Sequence, residues 1–309
     1  MITKQSTSSH EEWLALRHKY IGGSDAAAVV GLNSYMSAYS LWAEKTGRLP
    51  GFEGNLATEV GTYLEDFVAQ KFAEVTGKKV RKCNLSWFND KYPWAIANID
   101  REIVGEDALL EIKTTSELNM KKFKGGEYPS NYYVQVMHYL GVTGKERGYL
   151  AVLIGNREFK WFAIDRDEAE INALMDAERT FKMYVDSDTP PIADGASSTA
   201  DTLSALYPNS CDIAIGIGSF EKDLDNYFRL KAQADELDKQ INGIANRIKA
   251  HLGECERGEG EKYKVSWKTQ SRTTFDHKRF VANHPEMDVS QYFKTSNSRP
   301  FKVTEKKGI

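Results

Sequence analysis

The stretch Pro93-Trp94-Ala95-Ile96-Ala97-Asn98-Ile99-Asp100, continued through Gly105 to Leu109-Leu110-Glu111-Ile112-Lys113, decides how this chain is read. It predicts two strands joined by a short turn, the first apolar and ending on an acid. Side chains alternate faces along a strand, so Glu111 and Lys113 share one face while Leu110 and Ile112 take the other. Pairing around Gly105-Glu106-Asp107 brings Asp100 near Glu111. Two carboxylates and an ammonium on one sheet face are costly unless something binds there, and a divalent cation is the natural ligand. The plain alternative is a solvent-facing hairpin whose Glu111 and Lys113 form an ordinary surface pair.

Working outward, the flanking pattern is that of a mixed α/β protein. Helices are expected over 10–18, from the Gly22-Gly23-Ser24-Asp25 break to Gly31, over 37–46, and over 55–76. On the last of these, Val60, Leu64, Phe67, Val68, Phe72 and Val75 make the apolar side and Glu65 borders it. Residues 79–88 read as a strand, 117–126 as a basic loop or short helix, and 130–141 as a helix with Tyr132, Gln135 and Tyr139 on one face. Strands at 148–154 and 158–164 turn at Gly155-Asn156, and a helix runs from 165 to about 185. From residue 55 the order is helix, three strands, helix, two strands, helix: a central mixed sheet flanked by helices.

Residues 186–198, with Pro190-Pro191 and Gly195-Ala196-Ser197-Ser198, read as a linker or extended arm. A domain of residues 1–190 followed by an extension of 191–309 is therefore expected. Within the extension, 220–252 predicts one long helix with an apolar seam, suited to the body, a hairpin partner or another subunit. The remaining tail predicts a small β unit with Tyr263–Lys268 and Ser271–Phe275, ending in Arg299-Pro300-Phe301-Lys302-Val303. It carries eleven Lys and Arg against five Asp and Glu over 261–309, a local surface for phosphate contacts or simply a solvated face.

Composition sets outer limits. The 309 residues carry a net charge of −3, so any nucleic-acid surface must be local rather than global. No run approaches the ~20 apolar residues of a membrane helix, and the N-terminal residues lack the apolar core of a signal peptide. Cys83, Cys211 and Cys255 are scattered and odd in number, which speaks against a disulfide framework and for a reducing cytoplasm.

Phosphodiester hydrolysis needs an activated water, neutralised transition-state charge and a stabilised leaving oxygen. Two carboxylates holding Mg²⁺ with a lysine beside them are a minimal set of parts for it. The Gly-Gly-Ser-Asp helix start offers free backbone N–H groups to a phosphate, although such caps are usually structural.

Arg17 with Tyr20-Ile21-Gly22-Gly23-Ser24-Asp25-Ala26-Ala27-Ala28 resembles the opening of the YqaJ-like viral recombinase family, grouped with phage lambda exonuclease among restriction-endonuclease-like nucleases. The likeness continues through Ser40–Gly47, Gly61-Thr62-Tyr63-Leu64-Glu65, Asp100, Leu110-Glu111-Ile112-Lys113 and Tyr132–His138. It covers about residues 13–185 in order and extends more loosely to the C-terminal part. The resemblance implies a restriction-endonuclease-like core and a metal-dependent 5′→3′ exonuclease acting on linear double-stranded DNA. Such an enzyme leaves a 3′ single strand for a phage annealing protein.

By position, Asp100, Glu111 and the backbone carbonyl of Ile112 would hold Mg²⁺, for which Mn²⁺ can substitute, and Glu65 would touch it through water. Lys113 would position or activate the attacking water, and Gln135 would hold the nucleophile or the scissile strand. Arg17 and Ser24 would bind the 5′ phosphate. The family also implies a homo-oligomeric ring around DNA in the bacterial cytoplasm. The cysteines of related iron–sulfur nucleases are missing, and Asn98-Ile99 stands where relatives often carry proline. A structure-specific endonuclease or a non-catalytic DNA-binding scaffold would use the same core, and the 220–252 helix could dock an annealing partner.

Overall fold

The computed structural model describes residues 1–6, 9–296 and 298–306. The described chain divides into two compact units, Met1–Pro208 and Asn209–Ile309.

The first unit is built on two sheets, and the chain changes from one to the other three times. Strands β3 (Val80–Lys82), β6 (Arg101–Ile103), β7 (Ala108–Thr115), β8 (Arg147–Ile154) and β9 (Glu158–Asp165) form the larger sheet in that order. All its pairs are antiparallel except β7 with β8, which are parallel. Parallel neighbours need a crossover, and helix α5 (Ser130–Thr143) supplies it. The smaller sheet runs β1 (Ile2–Gln5), β4 (Ser86–Asn89), β5 (Ala95–Asn98), β2 (Ile21–Gly22). The changes of sheet fall between β2 and β3, between β3 and β4, and between β5 and β6.

The sequence predicts one strand over 79–88 and one ending at Asp100. The structure corrects both. β3 and β4 belong to different sheets, as do β5 and β6, and the chain changes sheet at 83–85 and again at Ile99–Asp100. The Cys83 N–H donates to the Asp100 carbonyl at 3.2 Å and ties the two crossings together. The expected hairpin exists, but between β6 and β7, with Gly105 at φ 83° making its turn. β1 had no counterpart in the sequence reading; its four residues are exposed and become a strand only by pairing with β4.

Each face of the larger sheet is covered. Helix α4 (Leu56–Thr76) lays Val68, Ala69 and Phe72 against Ala108, Leu110, Ile112, Tyr149 and Ala151. On the opposite face, α5 packs Val136, Met137 and Leu140 against Leu109, Leu150 and Val152. Helix α6 (Glu168–Asp186) closes over α5 through Ile171, Leu174 and Met175. β7 is thus apolar on both faces for most of its length, which is why Glu111 sits in a dry setting. A third cluster joins α2 (Gly23–Val29), α3 (Ala38–Lys45) and Phe181 of α6.

Part of the stretch predicted as linker is helical. In α7 (Ser197–Leu206), Thr199 Oγ1 donates to Ser37 Oγ at 2.7 Å and Thr202 Oγ1 to Ser40 Oγ at 2.8 Å. Residues 117–126 are 3₁₀ turns around a kink.

In the second unit, α8 (Glu221–Leu252) is the expected long helix. Its β unit pairs β10 (Arg257–Glu259) with β11 (Lys264–Ser266); Ser271–Phe275, predicted as a strand, forms none. A short helix, α9 (His277–Asn283), follows. Among the described residues no helix is long and apolar enough to cross a membrane.

Candidate active site

The site lies where the β6–β7 ladder opens. Pairing ends at Arg101 opposite Leu110 because the chain behind Arg101 departs for the smaller sheet. Asp100 sits at that departure, and its Oδ2 accepts from the Ile112 N–H at 2.7 Å. The carboxylate thus occupies the ladder position a continuing strand would have filled. In an extended strand the N–H and C=O of one residue face the same neighbour, so the Ile112 carbonyl lies on the Asp100 side as well.

Glu111 is 2 % exposed. Its Oε1 accepts from Lys113 Nζ at 2.6 Å and from Gln135 Nε2 at 2.7 Å. Its Oε2 is buried with no hydrogen-bond partner. The predicted alternation of faces is therefore borne out, and Gln135 reaches the same carboxylate from α5. Glu65 approaches from α4, on the other side of the sheet, where the buried Arg101 guanidinium holds it; the same guanidinium bonds Asp66 at 2.5 Å. Among the described residues no three His, Cys, Asp or Glu side chains gather as a metal cluster. What the site offers is two carboxylates and a main-chain carbonyl.

Burial, followed by the charge of Glu111, pushes Asp100 well above the usual carboxylate range, against the pull of Lys113. Burial raises Glu111 too, and the Lys113 ammonium only partly offsets it. For Lys113, burial acts downward but is outweighed by Glu111 and Asp100, so its pKa is raised and it is an ammonium. The cluster carries more negative charge than its surroundings stabilise. An unpartnered buried carboxylate oxygen beside a second strained carboxylate fits a divalent cation.

A stability prediction follows from these shifts. With both acids raised, the folded chain keeps protons that the unfolded chain has released, so this contribution to stability is present below about pH 4 and is lost as pH rises through the folded values. Asp100→Asn, which keeps an acceptor for the Ile112 N–H, is expected to stabilise the metal-free protein at neutral pH by about 1 kcal/mol. Urea melts at pH 4 and pH 7.5 check this: equal effects at the two pH values would contradict it.

Arg17 and Ser24, seven residues apart across a helix end, are adjacent, with Arg17 Nη2 donating to Ser24 Oγ at 2.8 Å. Arg17 also lies 3.8 Å from Asp25. Asp25 is buried, accepts from the Gly22 N–H at 3.0 Å and pairs with the buried Lys45 at 2.7 Å. Burial alone would raise its pKa, but Lys45 and Arg17 outweigh burial and keep it low. Lys45 Nζ also donates to the carbonyls of Arg17 (2.5 Å) and Tyr20 (2.9 Å), fixing the end of α1 (His10–Lys19) against the cap.

The cap and the acid cluster are physically linked. Gln135 Nε2 donates to Tyr139 Oη at 3.0 Å, and the Tyr139 ring packs against Gly23, where a Cβ would come within 2.4 Å of it. Only glycine permits that approach. Sequence reasoning placed Tyr139 on the face of Gln135 but did not find its contact with Gly23. Lys45 fell within the family-like stretch Ser40–Gly47 but received no role, and Arg101 was missed altogether, since nothing local marks a lysine or arginine whose partners lie in other elements.

The fold and site define a mixed α/β protein with a buried acid–lysine centre at a break between sheets. The model of the YqaJ-like viral recombinase domain matches residues 12–146. The chain is 36% identical over 312 residues to the Bacillus subtilis (strain 168) protein described as "Uncharacterized protein YqaJ", spanning 99% of this chain and 97% of that one. The chain belongs to the YqaJ-like viral recombinase family. Among solved structures, an alkaline exonuclease (LHK-Exo) from Laribacter hongkongensis aligns with TM-score 0.49 and 23% identity, covering 58% of this chain and 93% of that one. A phage-related exonuclease from Haemophilus somnus 129PT aligns with TM-score 0.42 and 12% identity, over 55% and 96%.

Proposed function

We propose that this protein is a metal-dependent exonuclease that degrades linear double-stranded DNA from 5′ ends and leaves 3′ single strands. The observation that carries the reading is the Asp100–Glu111–Lys113 cluster, with its unpartnered Glu111 Oε2 and both carboxyls raised. Asp100, Glu111 and the Ile112 carbonyl would hold Mg²⁺, or Mn²⁺ in its place, with Glu65 contributing through water. Bound there, the ion would lower the pKa of a coordinated water and neutralise phosphate charge.

The chain's own residues do the rest. Lys113, an ammonium, orients the attacking water and donates to the phosphoryl oxygens as their charge grows. Gln135, held by Tyr139 and Glu111, fixes the carboxylate and can turn its amide toward the strand being cut. Arg17 and Ser24 bind the terminal 5′ phosphate at the start of α2. The Tyr139–Gln135 link holds that pocket at a set distance from the scissile bond. The 3′ strand released is a substrate for a phage-type annealing protein, and a closed oligomer around DNA suits a reaction that follows one strand.

The test is digestion of end-labelled linear duplex, with or without a 5′ phosphate, in Mg²⁺ and in chelator. Mononucleotides released from phosphorylated 5′ ends only with metal are the expected result. Arg17→Ala is expected to remove the preference for the phosphorylated end by about tenfold or more, the worth of a hydrogen bond to a charged group. Cutting of covalently closed circles at comparable rates would overturn the reading.

A further inference from the structure

Helix α8 spans 32 residues, and none of them is buried. Seven of its apolar residues are nonetheless ordered, with Leu224, Phe228 and Leu252 outside the pattern. Tyr227, Leu230, Ala234, Leu237, Ile241, Ile244 and Ile248 recur at alternating steps of three and four, three heptads without a break. That period of 3.5 is the requirement of helix winding on helix, whereas packing on a sheet or a globular face follows 3.6. Leu230, Leu237, Ile241 and Ile244 are each at least half exposed.

Among the described residues, nothing in its own unit covers the seam. The β10–β11 hairpin reaches only the end of the helix: a Cβ on Gly258 would lie 3.1 Å from Leu252, and Lys249 Nζ stands 5.9 Å from the Trp267 ring. The unit's other described α-helix, α9, has seven residues, too short for a seam of about 33 Å.

The flanking residues say what fits. Charges beside such a seam select partner and direction. If the same helix is placed alongside in parallel register, Asn226 meets Lys231 of the second copy, Gln233 meets Asp238, Gln240 meets Ala245 and Arg247 meets Leu252. No like charges confront one another. The antiparallel arrangement, with Leu237 over Ile241, sets Asp238 against Asp238 of the second copy. We propose that α8 joins copies of this chain, the Tyr227–Ile248 seam of one packing in parallel register on the same seam of a second.

The test uses the full-length protein with Cys211→Ser and Cys255→Ser, which remove the two exposed thiols. Under oxidation, Ala234→Cys in the seam is expected to give covalent dimers, and Lys239→Cys on the outer face to give none. In sedimentation, Ile241→Glu is expected to lower the mass of the assembly, whereas the outward Asn246→Glu leaves it unchanged. Ile241 is 61% exposed, so its replacement does not disturb a core. A monomeric parent, absence of the 234 crosslink, or a mass unchanged by Ile241→Glu would each overturn the proposal, the last two pointing to a seam docked within the chain or to another protein.

Discussion

Lys113→Ala is expected to slow hydrolysis of linear duplex DNA by at least about a hundredfold while leaving duplex binding nearly intact. Lys113 Nζ is 2.6 Å from Glu111 Oε1, and no other lysine or arginine pairs with Glu111 or Asp100 in the described residues. Its loss removes the positive donor that faces the phosphate and the attacking water. It also leaves two raised carboxylates without a cationic neighbour, so the variant should be compared in Mg²⁺ and checked by thermal melt. Lys113→Arg separates the two effects. It keeps a charge against Glu111 but replaces a compact ammonium with a planar fork. It is expected to be as stable as the parent and still strongly impaired. Rates of nucleotide release, measured with anisotropy of labelled duplex, decide the matter. Near-normal release from Lys113→Ala would remove this lysine from the reaction.

The second large effect is on stability, away from the acid cluster. His138 on α5 and Glu178 on α6 are both fully buried, and His138 Nδ1 lies 2.7 Å from Glu178 Oε1. Nε2 of the same ring faces the Ile96 carbonyl at 3.0 Å and so must donate to it. Burial pulls the imidazole down, but Glu178 and the Ile96 carbonyl outweigh it and hold its pKa above the ordinary value. The ring thus joins α6 and α5 to β5, the strand that leads to Asp100. His138→Ala would leave Glu178 buried without a partner, its Oε2 being already unpaired, and is expected to cost about 3–5 kcal/mol. Replacing both residues by leucine should cost much less. Because the folded pKa is raised, the pair's contribution is fully present below about pH 6.5 and is lost as pH rises through the folded value. Urea melts of parent, single and double variants over that range provide the check. A single variant as stable as the parent would show that the pair holds nothing together.

The pair also shows where sequence reading stops. His138 fell within the family-like stretch Tyr132–His138, but nothing near it in sequence names Glu178, forty residues on. The same holds for Arg101 with Glu65 and for Lys45 with Asp25. Helix α4 was legible because its signals are local: the Asn55 cap, the apolar spacing and Gly77 at its end. Glu111 and Lys113 were legible as a pair because strand alternation puts them on one face whatever the sheet does.

By itself, then, the sequence determined the period of the longer helices and of β7, the face shared by Glu111 and Lys113, the Gly-Gly-Ser-Asp helix start and the heptad order of α8. These depend on φ/ψ preferences and side-chain spacing over a few residues, which act before any tertiary contact forms. The tertiary structure alone decided that the strand ending at Asp100 breaks between two sheets. That break stops the ladder at Arg101 and leaves the Ile112 N–H for a carboxylate. It also decided that Gly23 must be glycine, because Tyr139 lies against it. Ladder register and close approach depend on which distant segments meet, and no property of either segment alone fixes that meeting.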